Sequence, residues 1–111
     1  MKNYGDMSDS QIAQKVFFFL SGNLCPNGGL AHISSDGFFF FDEKNIKRKF
    51  DPCNNPADAW PIIIDNKISL TCHHSRGEWS AVFNAENICF HANNPLRAAM
   101  IVFLKMNEDK L

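Results

Sequence analysis

Four side chains with an affinity for transition metals occur in two spaced pairs, Cys72 with His74 and Cys89 with His91. On an extended strand the side chains alternate, so each pair would share one face. If those two strands were neighbours, two thiolates and two imidazoles would converge in the tetrahedral set that zinc prefers. The gap between the pairs is not that of a zinc knuckle, in which about two to four residues separate the ligands. Two half-buried strands carrying small thiols explain the pattern without a metal, so neither a metal nor another cofactor is expected. Nucleophilic chemistry has as little support. Cys25, Cys53 and Cys72 each have a histidine among His32, His73 and His74 as a conceivable base. A reactive thiol also needs a cation or a helix N-terminus to stabilise its thiolate, and only Cys53, just ahead of a predicted capped turn, has such a neighbour. No phosphate-cradling glycine motif is present, since Gly28-Gly29 stands alone. No catalytic constellation emerges, and the chain is not expected to be an enzyme.

The charge balance narrows the classes further. Eleven Lys and Arg against twelve Asp and Glu leave a formal net charge of −1, with a pI near 6.4. That is not the footprint of a nucleic-acid binder. The one basic run, Lys44, Lys47, Arg48 and Lys49, is flanked by Asp42, Glu43 and Asp51 and reads as a solvated edge. The order helix, strands, helix is similar to that of double-stranded-RNA-binding domains, but Arg97 is the only cation at the start of the last helix. Nucleic-acid binding is therefore the alternative reading. The first apolar run, Val16 to Leu20, is too short for a secretory signal, and no run approaches the ~20 apolar residues of a membrane span. A reducing cytoplasm is expected, with the cysteines as buried thiols.

The elements that must position these groups follow from pattern. Ser8 precedes Gln11 by three residues, as in a capping box, and Ile12, Val16, Phe19 and Leu20 continue at helical spacing. Gly22 would stop that helix, and Asn23 to Gly37 has loop composition. Phe38 to Phe41 predicts a strand with two Phe on each face, and Ile46 to Phe50 predicts its return, with Glu43 to Asn45 as the turn. Ile68 to Cys72, Glu78 to Phe83 and Ile88 to His91 predict further strands. Asn94 and Pro95 start a final helix whose stripe is Leu96, Met100, Phe103 and Leu104. The expected fold is one α+β domain over residues 1–111: an antiparallel sheet of about four to five strands with an N-terminal and a C-terminal helix packed on it. The consecutive Phe17, Phe18 and Phe19 exceed what one helix face can bury, so either a later loop covers this helix end or it sits at a subunit contact, as in a homodimer.

The segment from Phe50 to Leu70 is rich in Pro, Asn and Trp. Asn55 is a good N-cap with Pro56 at the first helical position, and Pro61 is expected to end the helix after about one turn. Ile62 to Ile64 then reads as an apolar approach to a turn at Asp65 to Lys67. The first expectation for Trp60 is burial, which would be worth about 4–6 kcal/mol at most. The alternative sets Trp60 with Asn54, Asn55, Asp58 and Arg97 on an exposed binding surface.

The stretch Phe50-Asp-Pro-Cys-Asn-Asn-Pro-Ala-Asp-Ala-Trp-Pro-Ile-Ile-Ile-Asp-Asn-Lys-Ile-Ser-Leu70, the run Asn94-Pro-Leu-Arg-Ala-Ala-Met-Ile-Val-Phe-Leu104 and the opening Tyr4-Gly-Asp-Met-Ser-Asp9 together resemble the NinX-like family of bacteriophage and prophage proteins. Gly22 to Lys49 has no counterpart in that resemblance. The resemblance implies a small accessory protein of lambdoid-type phages and brings no catalytic residues with it. The expected activity is non-enzymatic binding of a host or phage protein in the bacterial cytoplasm, without a membrane, by a chain that forms a homodimer.

Overall fold

The computed structural model describes residues 4–21, 31–34, 36–41, 44 and 46–108. Its elements run α1 (Asp9–Ser21), β1 (Ala31–Ser34), β2 (Gly37–Phe41), β3 (Lys47–Lys49), α2 (Pro56–Asp65), β4 (Ser69–His73), β5 (Glu78–Phe83), β6 (Ile88–Ala92) and α3 (Pro95–Met106). The fold is α+β, as expected. Its strands form two antiparallel three-stranded sheets, ordered β1-β2-β3 and β4-β5-β6, and the chain divides into two compact units, residues 1–51 and 52–111.

In the first unit the capping box forms as read. The Gln11 N–H donates to Ser8 Oγ at 3.1 Å, and the Ser8 N–H donates to Gln11 Oε1 at 2.9 Å, satisfying two amides that helix geometry leaves open. α1 packs on β1 and β2 through a cluster of Ala13, Phe17 and Phe38, with Phe18, Phe40 and Phe50 against it. The Phe17 ring centroid lies 4.8 Å from that of Phe40 and 5.3 Å from that of Phe38, distances at which aromatic pairs add to simple burial. Alternation along β2 sends Phe38 and Phe40 to this cluster and Phe39 to the other face, where Lys47 Nζ sits 4.6 Å from its ring. Much of the phenylalanine excess thus has an internal use. Ala31–Ser34, within the stretch of loop composition, is instead a strand: as β1 it pairs with β2 from Ala31 opposite Phe40 to Ser34 opposite Gly37. The Gly22 stop, residues 23–30 and 35 of the predicted loop, and residues 43 and 45 of the predicted turn lie outside the described residues.

In the second unit, α3 is buried without interruption from Ala98 to Leu104 and packs on β5, β6 and α2. α2 corrects the sequence reading. It does not end at Pro61 but continues to Asp65 with the proline inside it. An interior proline costs a helix about 3 kcal/mol. Burying Ile62 and Ile63, which lie on one face with Ala59, returns about 1.5–3 kcal/mol per isoleucine, enough to offset that cost. The acceptor that Pro61 leaves without its helical donor, the Ala57 carbonyl, belongs to an exposed residue that water can reach. Ile62 to Ile64, expected as an apolar approach to a turn, is therefore part of the second half of a helix.

Both helices of this unit end in the same way. Asn66 Nδ2 donates to the Ile62 carbonyl and Asn107 Nδ2 to the Phe103 carbonyl, each at 2.8 Å. α2 closes further with the Lys67 N–H on the Ile64 carbonyl and the Ile68 N–H on the Ile63 carbonyl, the paired bonds of a Schellman motif. That motif needs a left-handed residue just after the cap, here Lys67 at φ 55°, where glycine is favoured. Lys67→Gly is expected to raise stability by about 0.5–1 kcal/mol in urea unfolding, because relief of the left-handed conformation outweighs the added freedom of the unfolded chain. An unchanged or lower midpoint would show that this conformation carries no strain.

Candidate functional site

The start of α2 and the start of α3 are joined by one side chain. Asn94 Oδ1 accepts the N–H groups of Leu96 at 2.9 Å and Arg97 at 3.3 Å, capping α3. Its Nδ2 donates to the Cys53 carbonyl at 2.7 Å and to Asn54 Oδ1 at 3.3 Å. Next along the chain, Asn55 caps α2 by accepting the Ala57 N–H at 3.0 Å. Asn54, Asn55 and Arg97, proposed from sequence as binding residues, are therefore gathered at one corner around Asn94, whose role beyond a simple cap the sequence did not reveal. Asn54 and Asn55 are exposed, and Arg97 and Asp58 are half-buried.

Trp60 stands on α2 beyond this corner, and it is not in the core: 53% of its surface is exposed, as is 53% of Ile64. The expectation that the indole turns inward is thereby corrected. The reason is the extra length of α2. A full helix places Ala59, Ile62 and Ile63 on the buried face, and Trp60 then falls about 100° from Ala59. Ala57, Trp60, Pro61 and Ile64 are all exposed and recur at i, i+3, i+4 and i+7, a second apolar stripe on the outer side of the helix. A surface helix ordinarily carries charge there. The periodicity was present in the sequence, hidden by the assumption that Pro61 breaks the helix.

The two candidate metal-ligand pairs are not brought together, although within the first Cys72 Sγ lies 3.9 Å from His74 Nδ1. β4 and β6 do not pair, because β5 lies between them. Cys72 is opposite Trp79, and Trp79 is opposite Ala92. Directly opposed residues share a face, so Cys72 lies on the face of Trp79, Phe90 and Ala92, while Cys89 and His91 lie on the other. His74 is in the turn after β4. Among the described residues no three His, Cys, Asp or Glu side chains are grouped to hold a metal. Cys53 is buried as expected, but Cys72 and Cys89 are exposed; Cys25 lies outside the described residues.

The sheet instead assembles a group that sequence spacing did not indicate. Ser80 is opposite His91 on β6 and Thr71 on β4, which puts His73, two residues beyond Thr71, on the same face. His73 Nε2 is 2.5 Å and His91 Nδ1 2.8 Å from Ser80 Oγ. The serine is only 4% exposed although the neighbouring Thr71, Cys89 and His91 are open to solvent. β5 pairs on both sides, so its amides belong to the ladders and none is left to stabilise an oxyanion.

The basic run lies on a solvated sheet edge. Lys47, Arg48 and Lys49 are exposed along β3, an outer strand, where lysine discourages edge-to-edge association. No helix among the described residues is long and apolar enough to cross a membrane.

A search of the curated proteins finds no match to the chain. The family model described as Bacteriophage P22, NinX, matches residues 3–107, including the Gly22 to Lys49 stretch that had no counterpart in the resemblance read from sequence. The match runs through both units and through the Asn94 corner and the α2 stripe, and on it the chain belongs to the bacteriophage P22 NinX family.

Proposed function

We propose that this phage protein acts in the host cytoplasm as a non-enzymatic binding module that docks α2 into an apolar groove of a host or phage protein. The observation that carries the reading is the outward stripe of Ala57, Trp60, Pro61 and Ile64. Helix-in-groove recognition uses anchors at this i, i+3, i+4, i+7 spacing. Tryptophan is enriched among the residues that dominate interface energies. The stripe carries no charge, and its N-terminal end is bordered by Asn54, Asn55 and Asp58, the apolar centre and polar rim of an interface.

The test is capture from phage-infected host lysate with tagged wild-type protein and Trp60→Ala in parallel, each checked by thermal melting. A partner held by the wild type and lost by the folded variant supports the proposal; undiminished retention by the folded variant overturns it. Homodimerisation through the same surface would appear in sedimentation velocity as a wild-type dimer that Trp60→Ala dissociates. The nucleic-acid alternative draws on the exposed Lys47, Arg48 and Lys49. Gel shifts at low and moderate salt separate the two, because binding driven by phosphate contacts weakens steeply with salt.

A further inference from the structure

We propose that His73 Nε2, His91 Nδ1 and Ser80 Oγ cap one face of a borderline divalent transition-metal ion, with Zn²⁺ as its test case, on the side of the second sheet turned away from α3. The three donor atoms already converge. Both ring nitrogens lie within hydrogen-bond distance of the one serine oxygen, and the ring centroids are 5.8 Å apart. Two imidazoles on one tetrahedral ion, with Zn–N near 2.0–2.1 Å, have centroids about 5 Å apart. The rings therefore need to close by less than an ångström, while Ser80 Oγ must draw back from both nitrogens, because ligands of a tetrahedral zinc ion lie about 3.3 Å apart.

Hydrogen bonding to Ser80 holds the rings in this arrangement. One hydroxyl carries one proton, so with both rings neutral one inward nitrogen accepts that proton and the other must itself be an N–H donor. An ion on both inward nitrogens needs both rings in the tautomer protonated at the outward nitrogen, His73 at Nδ1 and His91 at Nε2. The serine oxygen then turns a lone pair to the ion and keeps its proton. Imidazole suits zinc, copper and nickel, and two imidazoles with one hydroxyl leave further positions for water. The face is open enough for an ion to enter, since Thr71, Cys89 and His91 are exposed. Glu78 is opposite His73 on the same face but is not grouped with the two histidines as a third ligand. A bound ion would link β4 to β6 across β5, two strands that make no direct pairing.

The experiment is calorimetric titration of the full chain with zinc chloride in a non-chelating buffer, with a melting curve for each protein. Wild type, His73→Gln, His91→Gln, Ser80→Ala and the double variant Cys72→Ser/Cys89→Ser are compared. The expected result is one zinc per chain, at least about 10-fold weaker binding in each histidine variant and a smaller loss in Ser80→Ala. The double cysteine variant should match wild type, and zinc should raise the wild-type melting temperature. Absence of wild-type binding, binding unaffected by either histidine, or binding that disappears with the two exposed thiols would each overturn the proposal.

Discussion

Replacing Asn94 by alanine is expected to lower the unfolding free energy by about 2–4 kcal/mol, a large part of a small domain's total. Loss of the cap to Leu96 and Arg97 contributes about 1 kcal/mol. Loss of the bonds to the Cys53 carbonyl and Asn54 adds about 1 kcal/mol for each. The Cys53 carbonyl adds to this because Cys53 is fully buried and water replaces the lost donor poorly. Asn94→Asp separates the contributions. A carboxylate still accepts from the first amides of α3 and suits its positive end, but it donates to neither Cys53 nor Asn54. Urea unfolding should place the aspartate variant between wild type and alanine. Equal stability of the two variants would show that the cap contributes nothing beyond the tether.

Trp60→Ala should behave in the opposite way, with a small cost in folding and a large one in binding. A buried tryptophan truncated to alanine costs about 3–5 kcal/mol. With 53% of its surface exposed, Trp60 should cost no more than about 1–2 kcal/mol. Its removal from the centre of an interface should weaken the partner complex by about 30-fold or more, which corresponds to 2 kcal/mol or above. Ile64→Ala, one turn along, should add a smaller loss. A Trp60→Ala protein that melts as a core variant would return the indole to the role first expected of it.

Most elements were readable because their signals are local. The Ser8–Gln11 capping box, the Asn94-Pro95 start of α3 and the span of β5 each depend on residues close in sequence. Misreadings arose where a local rule competed with tertiary burial. At Pro61 the breaker rule opposed the 3.6-residue recurrence of Ala59, Ile62 and Ile63, and burial prevailed. β1 was hidden in a stretch of loop composition, and its identity rests on pairing with the phenylalanines of β2. The site chemistry was least accessible. Cys72 with His74 and Cys89 with His91 were each assigned one face because alternation is known from sequence, whereas the strand order that puts β5 between the two pairs is not. The His73–Ser80–His91 group spans three strands and depends wholly on their register. The resemblance carried by Phe50–Leu70 identified the family but not the outward turn of Trp60.

The outer stripe of α2 is proposed as a protein-docking surface. A photo-crosslinking amino acid placed at Ile64 tests it most directly in phage-infected cells, with the same probe at the exposed Glu86 as control. A discrete adduct with a host or phage protein is expected from position 64, abolished by Trp60→Ala and absent from position 86. No adduct from position 64, or the same adducts from both positions, would contradict it.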